Sequence, residues 1–254
     1  MRMLVAAHKP AQVPADDFYL PVHVGHALNR ADLGFQPDDE GENISALNGS
    51  YCELTALYWA VHNLDADAIG LSHYRRYFAG TQAGPNGTRI LAGSEAAALL
   101  DRHGIVIARP RNYVVETIDS HYRHGHHGSD LDIVRRSLQE LSPWAVGSWD
   151  RVMGGRKLSL YNMFLMERAE CQRYGDWLFS VLGRVAKQIN NDDRTVYQQR
   201  TFGYLGERLL NAYAVARSSD ISVGTAAVVN TEGEPKIRKA ADLLRRKLGV
   251  GAIG

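Results

Sequence analysis

The residues with the greatest chemical capacity lie in Ile69-Gly70-Leu71-Ser72-His73-Tyr74-Arg75-Arg76-Tyr77-Phe78, where an apolar run ends in a cationic and aromatic cluster. His73, Arg75 and Arg76 would stand beyond the carboxyl end of a buried strand, where open α/β sheets bind ligands. Anions suit this cluster. Arginine is always charged, and its planar fork of donors fits phosphate oxygens. The same residues would also serve as a solvated strand edge over packed Tyr74, Tyr77 and Phe78. A second charged pair, Glu207-Arg208, interrupts an apolar helical pattern from about Thr201 to Arg217, with Arg200 just before it. It reads as a carboxylate oriented near a substrate by arginine, or as an internal ion pair joining two helices.

Weaker candidates are spread along the chain. His8 and Lys9 follow the first apolar run, where His8 could touch a nucleotide or move a proton, or could be a hydrogen-bonded structural residue. The segment from Asn29 to Asn48 contains Asp38-Asp39-Glu40-Gly41-Glu42-Asn43-Ile44-Ser45, long and acidic for a connector. Such a loop could hold ribose or sugar hydroxyls, or a hard cation through oxygens, although its spacing is not that of a calcium loop. His121, His124, His126 and His127 fall within seven positions, together with Tyr122 and Arg123. Zinc is conceivable there. Without nearby cysteines or ordered helical spacing, a polar substrate-facing loop is the expectation. Asn162, inside the apolar run Leu158 to Met166, must brace backbone or meet bound hydroxyls.

The elements that must position these residues follow a βαβ rhythm. Met1 to Ala7 and Phe18 to Val24 read as strands, the second with Pro21 suggesting an edge or bulge. Ser50 and Glu53 form a capping box for a helix to about Asn63, and Ala68 to Ser72 is the next strand. Gly80 to Gly87 reads as a loop able to cross the site as a lid. Ser94 caps a helix over Glu95 to Arg102, and Gly104 to Ala108 is a buried strand. Helices are then expected from Ser129, from Pro143, from about Glu167 to Ile189 and from Thr201 to Arg217, with Leu158 to Met166 as a strand.

In 254 residues, 29 basic and 28 acidic side chains nearly cancel, which argues against a general nucleic-acid surface. Two cysteines, Cys52 and Cys171, are far apart, so a reducing cytoplasm fits better than a disulfide framework. No apolar run is long enough to span a bilayer, and no secretory signal opens the chain.

Several separated motifs resemble a bacterial family of glycosyltransferases found with capsular, exopolysaccharide and O-antigen biosynthesis, its domain first catalogued as of unknown function. They are Ala7-His8-Lys9, Gly41-Glu42-Asn43-Ile44-Ser45, Tyr51 to Trp59, Gly70 to Phe78 with its His-Tyr-Arg-Arg-Tyr-Phe core, Tyr161-Asn162-Met163-Phe164 and Gly203 to Arg208. The resemblance covers roughly Met3 to Val215. It implies a GT-A-type, Rossmann-like α/β/α sandwich over residues 1–230 and a nucleotide-sugar donor, with uridine diphosphate linked to galactose or a related hexose as the expectation. A glycan or lipid-linked glycan would accept the sugar.

Glycosyl transfer develops positive charge at the anomeric carbon and negative charge on the departing diphosphate. Many GT-A enzymes meet the second demand with a divalent ion held by Asp-X-Asp. Asp65 and Asp67 have that spacing but precede the strand and would lie at its far end from His73. His73, Arg75 and Arg76 are therefore expected to meet the diphosphate without an essential metal, helped by His8, Lys9, Asn43 and Arg208. Asp38, Asp39 and Glu42 keep Mg²⁺ or Mn²⁺ open. Glu207 is the expected base, with His73 beside it and Asp119 and His124 as weaker candidates; Asn162, Tyr122 and His124 are assigned to the acceptor. Residues 231–254 contain Pro235 to Leu248, a basic amphipathic tail that could rest on anionic lipid at the inner face of the membrane or dock on its own domain.

Overall fold

The computed structural model describes residues 1–233; the expected tail helix, Pro235 to Leu248, lies outside the described residues. The first half of the chain forms β1 (Arg2–Ala7), β2 (Tyr19–His23), β3 (Gln36–Pro37), β4 (Ala68–His73), β5 (Arg76–Ala83), β6 (Arg89–Ile90) and β7 (Ile105–Ala108). The second half adds β8 (Arg111–Asn112), β9 (Lys157–Leu158), β10 (Phe164–Glu167), β11 (Val223–Ala226) and β12 (Val228–Asn230). The helices are α1 (Asn48–Tyr51), α2 (Leu54–Asn63), α3 (Gly93–Leu100), α4 (Ile118–Gly125), α5 (Ser129–Leu141), α6 (Pro143–Gly154), α7 (Arg168–Ala186), α8 (Val196–Gln199) and α9 (Thr201–Arg217).

The main sheet runs β11-β7-β10-β4-β1-β2-β3, and the β5 ribbon with β6 and β12 continues from β4. β1 is parallel to β2 and β4, and β7 to β11, whereas β10 is antiparallel to both its neighbours. The carboxyl ends of β1, β4 and β7 and the amino end of β10 therefore share one edge. Strands covered on both faces need apolar residues at successive positions. In β1, Leu4 and Ala6 face a core shared with α2, α5, α6, α7 and α9, while Met3, Val5 and Ala7 face a second core with α3, Tyr77 and Phe78. One core on each face makes this an α/β/α sandwich.

The strongly patterned elements lie where their sequences place them: β1, β2 and β4 match within two residues at each end, and α9 over its whole length. β3 reaches β2 only at Val22 and His23, so Pro21 meets no partner on that side. Four expectations are corrected. The helix expected from Ser50 is broken at Cys52, whose φ of 53° separates α1 from α2, and the Ser50 hydroxyl donates to the Leu47 carbonyl instead of capping. The expected strand Leu158 to Met166 is interrupted by Tyr161 and Asn162, both at positive φ. The first half of the expected lid at Gly80 to Gly87 is strand, because the end of β5 pairs with β6 through Gln82 and Ala83, and Pro85–Gly87 forms a 3-10 turn. The histidine-rich loop is largely the helix α4, capped by the Thr117 hydroxyl oxygen accepting from Ser120 N.

Candidate active site

At the shared edge a cleft of about 580 Å³ opens beyond β1 and β4. Its strand-end wall carries His8, Arg75 and Arg76. The opposite wall, from the α1–α2 break and from α9, carries Cys52, Glu53, Arg200 and Glu207. Asp65 and Asp67 instead line a cavity of about 510 Å³ with Met1 and Asp17, at the amino end of β1 and β4. That placement removes the Asp-X-Asp pair from the cleft. Among the described residues, no three His, Cys, Asp or Glu side chains gather in a way that could hold a metal ion.

The arginines are held by aromatic rings and leave much of their donor capacity unspent. The Arg75 guanidinium lies 5.1 Å from the Tyr74 ring centre, and Arg76 lies 4.2 Å from that of Tyr161. Arg75 meets Glu232 at 3.4 Å, but both side chains are more than a third exposed, so the pair contributes little. Arg200 donates from Nε to Cys52 Sγ at 3.4 Å and lies 5.7 Å from the Tyr204 ring centre. Burial, reinforced by Lys9, Arg75 and Arg200, lowers the His8 pKa below its ordinary value.

A two-residue turn joins the opposing wall to the strand end. Tyr161 and Asn162 adopt φ of 75° and 52°, a backbone few non-glycine residues accept, with Asn among the more tolerant. Tyr161 N donates to Glu207 Oε1 at 2.7 Å, and Tyr161 O accepts from His73 Nε2 at 2.7 Å. Asn162 Nδ2 donates to Glu53 Oε1 at 2.6 Å and to Gly203 O at 3.0 Å. Gly203 and Gly206 let α9 approach this closely: a Cβ on Gly206 would stand 2.8 Å from Leu54 Cδ1 and 3.0 Å from Asn162 Oδ1. His73, Glu53 and Glu207 are thus fixed by one turn.

These contacts set the protonation states. Burial pushes the Glu207 carboxyl above the usual range; the Arg208 charge and Tyr161 N–H pull it back, and nearby Glu53 adds to the rise. Burial lowers the His73 pKa, outweighing Glu53 and the Tyr161 carbonyl. A neutral imidazole donating from Nε2 supplies a hydrogen bond rather than charge. The arginines Arg75, Arg76 and Arg200 supply permanent positive charge to the cleft lining.

The remaining expected site residues are not all brought together. Lys9 is exposed and not among the cleft-lining residues, its Nζ 5.5 Å from the Tyr74 ring centre. Asn43 spends its amide inside its own loop, donating to Asp39 O and Gly41 O. Arg208 is buried under the cleft, where it donates to Tyr204 O and reaches Glu207 at 3.5 Å. Tyr122 is buried against Arg208, with its hydroxyl on Asp130. Asn162 lies behind the cleft and braces Glu53. His124, itself exposed on α4, pairs with Glu116 at 2.6 Å and is not among the cleft-lining residues. Asp119 pairs with Arg123 on the same helix, and Asp38 accepts from Gly25 N and His26 N, organising its own loop.

Glu53, Arg200 and Cys52 complete the cleft without having been read as site residues. Glu53 obeyed a local capping rule, and only the Cys52 break turns it inward. Arg200 carried a signal, a cation at the start of an apolar helix, but not its direction.

A family profile described as a domain of unknown function, DUF4422, matches residues 2–218. The chain belongs to the DUF4422 family. Its fold matches a solved structure described as the apo form of WbbM, a bifunctional glycosyltransferase, with a TM-score of 0.81 and 25% identity. The match covers 92% of this chain and 45% of that one, so this DUF4422 chain spans about half the length of the solved protein. Comparison with curated proteins gives no match. The sandwich is thus of the GT-A-like, Rossmann-type kind, and the DUF4422 residues that line the cleft lie beyond the carboxyl ends of its parallel strands, where open α/β sheets bind ligands.

Proposed function

We propose that this protein is a glycosyltransferase that moves a hexose from a nucleotide diphosphate sugar to a glycan acceptor in surface polysaccharide assembly. A uridine-linked galactose is the donor we favour, from the resemblance of the motifs. The observation that carries the reading is one cleft of a glycosyltransferase-like fold that brings three arginines, Arg75, Arg76 and Arg200, together with two carboxylates, Glu53 and Glu207.

In this reading the diphosphate lies against the arginines. As the bond from the anomeric carbon to the diphosphate oxygen breaks, they stabilise the charge on the leaving group. The acceptor hydroxyl attacks that carbon and gives its proton to Glu207, whose raised pKa suits a base working near neutrality. Glu53 places a second negative charge beside the developing cation. His8 and His73 offer hydrogen bonds at the strand end, and the arginines do the work that a metal does elsewhere.

A labelled-donor transfer assay tests the proposal. Product formation with a UDP-hexose and a glycan acceptor is expected, and it should persist in chelator; full, reversible loss with chelator would remove the metal-free part. Donor affinity without turnover across a panel of acceptors would return a binding module instead. Thermal shift with nucleotide sugars identifies the donor, because a ligand that binds only the folded state raises its apparent stability.

A further inference from the structure

Beside the cleft, β8 and β9 pair through Arg111 with Leu158 and Asn112 with Lys157, and the chain between β8 and α4 forms a small apolar projection. Val114 and Val115 stand at its tip, 65% and 82% exposed. The tip is built rather than loose. Tyr113 N donates to Arg156 O at 2.8 Å, Val115 N to Tyr113 O at 2.6 Å, and Arg156 Nη1 to Val114 O at 3.1 Å. Val114 is held at a φ of 60°, an unfavourable backbone for a β-branched residue. Two valines are thus fixed in water at a conformational cost.

The β8–β9 pair and its flanks carry Arg109, Arg111, Arg156 and Lys157, all exposed. Among the described residues none of the four forms a salt bridge, and Arg111 packs 5.4 Å from the Tyr113 ring centre. Glu116, the acid next along the loop, is taken by His124 at 2.6 Å. In a chain whose charges nearly cancel, this is a local cationic collar beside an apolar tip.

We propose that the 113–117 loop and the β8–β9 pair dock the protein on an anionic lipid surface. The valines enter the headgroup and acyl boundary, and the collar meets the acidic headgroups. A soluble polyanion would use the cations but gain nothing from two exposed valines. The surface also adjoins the candidate active site. A cavity of about 470 Å³ lined by Arg109, Arg111 and Leu160 shares Tyr161 with the main cleft. Docking would bring the cleft mouth close to the bilayer. The proposal stands independently of the transferase reading.

Co-sedimentation of the full chain with phosphatidylcholine vesicles, with and without phosphatidylglycerol, tests it. Wild-type protein should partition onto the acidic vesicles and far less onto phosphatidylcholine alone. Val114→Asn with Val115→Asn, which places a residue tolerant of positive φ at the tip, should keep the melting temperature. It should cut partitioning roughly tenfold or more. Arg111→Gln with Lys157→Gln should cut it by about fivefold per charge at low salt. Wild-type partitioning by a folded valine variant would overturn the proposal and leave the basic tail as the lipid contact. Absence of wild-type binding to acidic vesicles would overturn it outright. An equal loss of heparin binding in the valine variant would also overturn it, in favour of a soluble polyanion.

Discussion

The two walls of the cleft handle charge in opposite ways. On the strand-end wall, Arg75 and Arg76 rest against tyrosine rings, and the carboxylate near Arg75 is solvated Glu232. On the helical wall, Glu53 and Glu207 are tied to Asn162 and Tyr161 by short hydrogen bonds. Cations that await a ligand keep their donors open. Carboxylates that must hold one position through a reaction are fixed by the frame. Under the proposed function the contrast would separate a binding wall from a reacting wall, and substitutions on the two should fail differently.

The largest effect is expected at Glu207. Glu207→Gln should lower the transfer rate by roughly 10²–10⁴-fold while leaving donor affinity near wild type, read by steady-state kinetics and calorimetry. Undiminished transfer by the folded variant would eliminate Glu207 as the base. The pH profile carries the same sign. Because the folded carboxyl lies above the usual range, the active base form fills only as pH rises through that raised value, so the acid limb of kcat/KM sits higher than for an ordinary glutamate. Linkage agrees. The native state keeps this proton to higher pH than the unfolded chain, so Glu207's contribution to stability is lost as pH rises through the folded pKa. Glu207→Gln should flatten that part of a stability-versus-pH curve.

For the arginines the order reverses. Arg76→Ala on the strand-end wall and Arg200→Ala on the helical wall should each weaken nucleotide diphosphate binding by roughly 10–100-fold, the worth of a charge-assisted hydrogen bond. Calorimetry with UDP reads this directly, and unchanged affinity in both would remove the diphosphate from these arginines. Glu53→Ala should cost about 1–3 kcal/mol of stability in urea melts, because Asn162 Nδ2 loses its closest partner in a buried site. A smaller loss would mean that Gly203 O alone satisfies the amide. The mildest change is Cys52→Gly, expected to raise stability by up to about 1 kcal/mol by relieving a positive φ. A clear loss would show that the Arg200 contact with the thiol outweighs the backbone strain.

Legibility followed how local the controlling physics is. β1, β4 and α9 were readable because burial on two faces, or on one helical stripe, imposes a pattern that few other structures satisfy. The cationic stretch was readable for a related reason, since residues following a buried strand emerge at a predictable edge. The turn at Tyr161 and Asn162 was not, because its apolar neighbours suit a strand and its positive φ values are held by groups distant in sequence. Asn162 was the available signal, an amide in an apolar run and a residue tolerant of that backbone. Glu53 illustrates the converse. It satisfied a capping rule with Ser50, yet the helix breaks between them and the carboxylate serves Asn162 instead.

By itself the sequence determined the strands β1, β2 and β4, the helix α9 and the placing of a cationic stretch at a strand's carboxyl end, because period, burial and charge are properties of short segments. Tertiary structure decided the partnership. Residues from β4, the α1–α2 break, the turn before β10 and α9 converge only when the sheet closes, with a separation of 109 residues between Glu53 and Asn162. Whether a carboxylate caps a helix, braces an amide or waits as a base depends on that closure. Desolvation and hydrogen bonding from distant segments set its position and its proton.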